Sequence, residues 1–166
     1  MKLPDLFDMS DPPAPDALPV DVLGNHAAAL HVSGEWLDPD TVSNLFRVSP
    51  TSSEAKGVPL VRKDGSEERI ATAGLWTLGI PQSAAGAMNY NEAIEALLGL
   101  LPEDLATWKK VGALGTMHIS LNLAIDAGNG EIWLEPPLLA FLGERNVGLH
   151  VEIYLRDSDL GGAQYY

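Results

Sequence analysis

Three of the four histidines in the chain stand in one kind of sequence context. Each lies between two apolar residues, in the tripeptides LHV, MHI and LHV that centre on His31, His118 and His150. Imidazole nitrogens bind metal ions and transfer protons near neutral pH. If the three side chains lie on adjacent strands, about 4.8 Å apart, they could share one metal ion or anion.

The strands that carry these histidines determine where they point. Side chains alternate across a β-strand, so polar residues at every second position share one face. The apolar residues between them then pack under helices, which leaves all three histidines on a polar, solvated face. The strands MHISLNLAI and LHVEIYL therefore give these binding-face candidates: His118, Ser120, Asn122, His150, Glu152 and Tyr154.

Three interpretations of this polar face stay open. The simplest is an ordinary solvated sheet face, as antiparallel sheets commonly have. A metal site formed by His31, His118 and His150 is the weaker alternative, because the chain lacks a local ligand pair such as His-Glu-x-x-His. A contact surface between two copies is the third, since the face carries few charges. We therefore expect no bound metal, and either a monomer or a homodimer.

Other catalytic motifs are absent from the sequence. The chain has no cysteine, no Gly-x-Gly-x-x-Gly or phosphate loop, and no Gly-x-Ser-x-Gly. Its densest acidic cluster is Glu35, Asp38 and Asp40, which could bind a cation or transfer protons. Helix capping explains Asp38 and Asp40 more simply. We expect no cofactor and no enzymatic activity.

A long segment, SPTSSEAKGVPLVRKDGSEERIATAG, concentrates positive charge in an otherwise acidic chain. It holds four of the ten basic residues, namely Lys56, Arg62, Lys63 and Arg69. Long connections are often functional. The segment predicts a hairpin with an exposed face of mixed charge, and capture of an anionic ligand is the alternative.

The hydrophobic period switches repeatedly between two and about 3.6, which indicates alternating strands and helices. Asp38 and Asn89 are placed to cap the first two helices. We predict an α+β two-layer sandwich, a roughly four-stranded, mainly antiparallel sheet with helices on one face, as in ferredoxin-like folds. Residues 26–157 form this single domain, between a flexible, acidic, Pro-rich tail at 1–25 and a flexible C-terminal tail at 158–166.

The overall charge limits the partners. Ten Lys and Arg oppose 23 Asp and Glu, a formal charge of −13. This charge disfavours nucleic acid and favours encounter with basic proteins. No apolar run approaches the roughly 20 residues that cross a bilayer, and the N-terminus lacks the features of a signal peptide, so we expect no membrane contact and a cytoplasmic location.

The order of these segments resembles the bacterial domain of unknown function 4279 family. The resemblance runs from His31 to Leu155, about three quarters of the chain, and does not explain the N-terminal tail. It is carried by LDPDTVSNLFRVSPTSSEAKG, TAGLWTLGI, MHISLNLAI and LHVEIYL, with Pro50-Thr51, Lys56-Gly57 and Trp76 at the positions of family features. It implies a small α+β domain with no established activity, in which Gly57 serves an unusual backbone angle and Trp76 the core.

The sequence thus favours a non-catalytic bacterial cytoplasmic protein, an acidic protein-binding domain of the immunity type that covers a basic surface. The alternative function is a small-ligand or metal-binding regulatory domain that uses the polar sheet face.

Overall fold

The computed structural model describes residues 26–61, 68–81, 90–126 and 132–156, with side chains described for 27–59, 70–81, 90–122 and 132–153. Both predicted tails lie outside the described residues, as does the predicted helix cap Asn89.

Five strands form one mixed sheet in the order β2-β5-β1-β6-β7, and two short strands pair separately as the hairpin β3-β4. All neighbours in the sheet are antiparallel except β6 and β7, which are parallel. The strands are β1 (His26–Gly34), β2 (Ser52–Glu54), β3 (Pro59–Val61), β4 (Glu68–Ile70), β5 (Gly74–Pro81), β6 (Thr116–Asp126) and β7 (Gly148–Arg156). The helices are α1 (Pro39–Phe46), α2 (Tyr90–Leu98), α3 (Leu105–Gly112) and α4 (Pro136–Glu144).

The connections between parallel strands explain this order. α1 links β1 to β2, which run in the same direction on either side of β5, and α2 with α3 links β5 to β6 on either side of β1. α4 then links β6 to its direct neighbour β7. The predicted α+β class with helices on one face is present. The sheet has five strands rather than four, because β2 was not predicted, and it is mixed, because β7 pairs parallel with β6.

The alternation of strands and helices predicts that the first helix joins the first strand to GLWTLGI as parallel strands, but β1 and β5 are antiparallel. The true parallel partner is β2, a strand of three polar residues, too short and too polar to show an apolar period. The hairpin prediction is confirmed, since β3 and β4 pair antiparallel within the long segment.

Helix α1 forms as its sequence predicts. Asp38 is the N-cap and Pro39 occupies the first turn, where no backbone donor is lost. Val42 and Phe46 are buried. In α3, Trp108 and Val111 face inward, and Asp104 caps the helix by accepting from the Thr107 amide at 2.9 Å.

One core lies between the helices and the sheet. Phe46, Trp76 and Trp108 are at its centre, with ring centroids 5.6 Å apart for Phe46 and Trp76 and 5.0 Å for Phe46 and Trp108. Most of the other buried apolar residues, from both layers, belong to the same cluster. Gly74 lets the chain pass closely at the sheet end, since a side-chain carbon there would overlap the carbonyl oxygen of Leu37.

Candidate functional site

The predicted histidine face exists. His31 pairs with His118 across β1 and β6, and Ser120 pairs with His150 across β6 and β7. Because directly paired residues share a face, all three histidines lie on the side opposite the core cluster. None of the four described helices packs on this side, which we call the helix-free face; it carries His31, Thr77, His118, Ser120, Asn122, His150 and Glu152.

The centre of this face is buried, not solvated as predicted. His31 has an exposed fraction of 1%, and Thr77 and Ser120 are equally inaccessible. His31 Nδ1 lies 3.0 Å from Thr77 Oγ1, and His31 Nε2 lies 2.8 Å from Ser120 Oγ. Both ring nitrogens are therefore hydrogen-bonded, as burial of a polar group requires. Alternation alone predicted the face correctly but could not predict its burial.

The histidine rings form a row across three strands. His31 and His118 stack with ring centroids 4.9 Å apart, and the His118 and His150 centroids are 6.0 Å apart. His118 is half-buried, and His150 is exposed near Glu152, with Nε2 3.9 Å from Oε1. The face therefore grades from a buried centre to an accessible margin on β7.

Ser120 and His31 have the separation of a nucleophile and its base, but their surroundings do not favour catalysis. The Ser120 hydroxyl is buried, so a substrate carbonyl has no route to it in this conformation. His31 Nδ1 lies against the Thr77 hydroxyl, at the position where a catalytic triad has a carboxylate. The arrangement supports a structural hydrogen-bond network.

The geometry also bears on a metal site. Within the described part of the chain, no group of three or more His, Asp or Glu side chains could hold a metal ion. His31 already uses both ring nitrogens in hydrogen bonds to Thr77 and Ser120. The three candidates share a face without converging on one point.

His118 makes stability depend on pH. Burial lowers the pKa of His118 below its usual value of 6.5, and the nearby His150 lowers it further. The unfolded chain therefore binds a proton more readily than the folded chain, so the contribution of neutral His118 is full above about pH 6.5 and is lost as pH falls through the folded pKa. We therefore expect the urea concentration at the unfolding midpoint of the wild type to be lower at about pH 5 than at about pH 7.5.

The variant His118→Gln, which does not titrate, should show a smaller fall over the same range. Equal pH slopes for wild type and variant would contradict this role of His118. His150→Gln is the control, because His150 is exposed and acts on His118 only at a distance.

A second cluster joins two predicted sites that are distant in sequence. Lys56 Nζ lies 2.7 Å from Glu35 Oε1 and 3.5 Å from the ring centroid of Trp36. Trp36 is 80% exposed, the largest exposed fraction among the described large apolar residues. A lysine ammonium is thus bound by a carboxylate and an aromatic face on the surface of the protein.

The remaining acidic candidates flank this cluster. Hydrogen bonds from the Thr41 hydroxyl and the Asp40 amide lower the pKa of Asp38, which is consistent with its capping role. Asp38 and Asp40 are both exposed. Glu35, Trp36, Asp38 and Asp40, which we call the Trp36 surface, are all exposed and lie close together in the sequence, with one large aromatic side chain and three carboxylates.

Some of the other predicted site residues lie outside the part of the chain that the structure describes. Arg62 and Lys63 lie outside the described residues, and the side chains of Arg69 and Tyr154 are not described. The predicted structural roles of Gly57 and Trp76 are confirmed: Gly57 has a φ of 85°, and Trp76 is buried with Nε1 donating to Ser43 Oγ at 3.0 Å.

Sequence reasoning missed Thr77 and Trp36. Thr77 occupies the polar side of a predicted strand, between Trp76 and Leu78, and this alternation was the available signal. Trp36 precedes the capping residue Asp38 and so lies outside the apolar stripe of α1, which was the available signal.

Comparisons with known proteins agree with this fold. A family model described as Domain of unknown function (DUF4279) matches residues 24–156. The chain belongs to the DUF4279 family. Searches of the curated proteins and of the solved structures give no significant match. Membership covers every described element of the sheet and every described helix, and it carries no assigned activity.

Among the described residues, no helix has the length and apolar character needed to span a membrane.

Proposed function

We propose that this DUF4279 protein is a non-catalytic bacterial cytoplasmic domain that binds a protein with a basic surface, in the manner of an immunity protein. The observation that carries the proposal is the Trp36 surface, where a highly exposed tryptophan and the neighbouring Glu35 carboxylate already bind an ammonium group. Tryptophan is among the residues that most often dominate binding energy at protein interfaces.

Charge supports a basic partner. The chain carries a formal charge of −13, and at least two of its ten basic residues are engaged internally. Lys56 binds Glu35, and the Arg145 side chain is 9% exposed with Nη2 donating to the Glu103 carbonyl at 2.9 Å. The net charge stays strongly negative, which accelerates encounter with a positive surface.

The contacts of Lys56 indicate which chemical group of a partner the Trp36 surface would bind. Its ammonium occupies the place that a lysine or arginine of the partner would take between Glu35 and Trp36. An exposed ion pair contributes about 0–1 kcal/mol, so Lys56 leaves at little cost. A partner cation that also buries the Trp36 ring gains apolar contact that Lys56 alone does not provide.

The test is affinity capture from the native cell with purified protein as bait, followed by titration of the captured protein. We expect a basic partner whose affinity for Trp36→Ala is about 10-fold or more lower than for wild type. Binding should also weaken as salt rises, because the attraction is between opposite charges.

Trp133→Ala is the matched control, since Trp133 is also exposed, at 66%, but belongs to the segment before α4. It should bind as tightly as wild type. Capture that Trp36→Ala does not weaken, or that high salt strengthens, would refute the proposal.

We also propose a relationship for the fold. The antiparallel order β2-β5-β1-β6, with two crossovers that each pass over one strand, is the arrangement of a ferredoxin-like unit. In this view, α4 and β7 are an addition at one edge, and β7 supplies the accessible margin of the helix-free face.

A further inference from the structure

The two edges of the five-stranded sheet differ in length and chemistry. β2, at one edge, has three residues, all polar. β7, at the other edge, has nine residues, GLHVEIYLR, and none of the described strands pairs with its outer side. Soluble proteins usually protect long edges with proline, lysine or a bulge. β7 contains neither proline nor lysine, and its pairing with β6 is regular over nine positions.

The sequence of β7 is complementary to itself when two copies of the strand pair antiparallel. If two β7 strands pair antiparallel about Val151, residue 149 faces 153 of the second copy, and residue 150 faces 152. Leu149 then meets Ile153, and His150 meets Glu152. Each apolar residue thus faces an apolar residue, and each imidazole faces a carboxylate, twice per pair of strands.

Other registers of the same pairing are worse. Paired residues must lie on the same face of a continuous sheet, so the centre of symmetry falls on a residue. Centring on Glu152 places two carboxylates opposite each other, and centring on His150 places two imidazoles opposite each other. Val151 is the centre that satisfies both kinds of side chain.

Exposure at the edge agrees with this pairing. Ile153 is 58% exposed and Leu149 is also exposed, although both lie on the side of the sheet that packs against helices. Val151 between them is half-buried against the core. Two large apolar side chains are thus available at the edge, where a second strand would cover them.

We propose that two copies of this chain associate through antiparallel pairing of their β7 edges about Val151, which forms one continuous ten-stranded sheet. The contact is isologous, so it closes at the dimer and exposes a β2 edge at each end. It is independent of the Trp36 surface, where Trp36 contacts Lys56, a residue that follows β2 at the opposite edge of the sheet.

Oligomeric state tests this directly. We expect full-length wild type to have twice the chain mass of 17.7 kDa in sedimentation equilibrium over about 1–100 µM. Ile153→Lys should weaken association at least about 10-fold, because the ammonium would face Leu149 of the second copy. Ile70→Lys is the matched control, since Ile70 is 61% exposed but lies in the β3-β4 hairpin.

The register is tested by cross-linking, because the chain has no cysteine of its own. Facing residues in antiparallel strands have Cα atoms about 4.5–5.5 Å apart, within the range that a disulfide bridges. Val151→Cys should therefore give a disulfide-linked dimer under mild oxidation. Leu149→Cys should not, because the two copies of residue 149 would be about 13 Å apart along the strands.

Each outcome of these experiments either supports or overturns the proposed dimer. A dimer that Ile153→Lys dissociates, Ile70→Lys retains and Val151→Cys selectively cross-links supports the proposal. A monomer up to about 100 µM, a dimer unaffected by Ile153→Lys, or equal cross-linking at 149 and 151 overturns it. Circular dichroism of each variant verifies folding, and cross-linking of Val151→Cys does not depend on the Ile153 variant.

Discussion

Trp108→Ala is expected to lower the free energy of unfolding by about 3–5 kcal/mol. Trp108 is fully buried, and its ring lies 5.0 Å from Phe46 and 6.2 Å from Phe141, centroid to centroid. Its Nε1 donates to the Pro102 carbonyl at 2.7 Å, so the change also removes a hydrogen bond. Equilibrium unfolding in urea, followed by far-UV circular dichroism, measures the loss.

The exposed Trp133 provides the comparison. Trp133→Ala removes the same side chain from the surface and should change the free energy of unfolding by less than about 0.5 kcal/mol. A similar loss in both variants would mean that the cavity around Trp108 is not the cause. Since small domains are stable by only about 5–15 kcal/mol, Trp108→Ala could leave a large unfolded population at 37 °C.

His31→Leu is expected to be the second most damaging change, with a loss of about 2–4 kcal/mol in the free energy of unfolding. The substitution keeps an apolar side chain in place but leaves the buried hydroxyls of Thr77 and Ser120 without the imidazole. An unsatisfied buried polar group costs about 1–3 kcal/mol. The same urea experiment measures the effect.

A triple variant separates the hydrogen bonds from packing. His31→Leu with Thr77→Val and Ser120→Ala removes both hydroxyls together with the imidazole, and replacing all the partners by apolar groups is often nearly neutral. It should be more stable than His31→Leu alone by about 1–3 kcal/mol. If the triple variant is less stable than the single variant, the hydroxyls have partners that outweigh His31, and our account of the network is wrong.

The results for His31→Leu and the triple variant would assign the buried centre of the helix-free face to stability. The accessible parts of the molecule would then include the Trp36 surface, where Trp36 contacts Lys56 just after the edge strand β2, and the opposite edge strand β7. Binding and self-association are therefore expected to respond to different substitutions.

Much of the fold could be predicted from periodicity and capping. The long strand β6 alternates without interruption, and Asp38 with Pro39 defines the start of α1. The strand order could not be predicted in full, because it depends on β2, whose three polar residues show no apolar period. The sequence predicted β7 as a strand, but not that it pairs parallel with β6 at the edge of the sheet.

For the candidate site, the sequence could predict which face of the sheet carries the histidines, but not their burial. Alternation predicted that His31 and His118 share a face, which the register confirms. It could not show that His31 is buried, because burial depends on what lies above the sheet and not on the strand itself. The contact of Lys56 with Trp36 joins segments about twenty residues apart through the return of the chain at β2, the strand that the sequence did not reveal.

The central position of β1 has a consequence for synthesis on the ribosome. β1 emerges first, but its hydrogen-bonding neighbours arrive much later, since His31 is 46 residues from Thr77 and 89 residues from Ser120. At about 5–20 residues per second, several seconds pass before both are available. The nascent strand AALHV is thus without its native neighbours for much of translation, and we expect holding chaperones to bind this segment first.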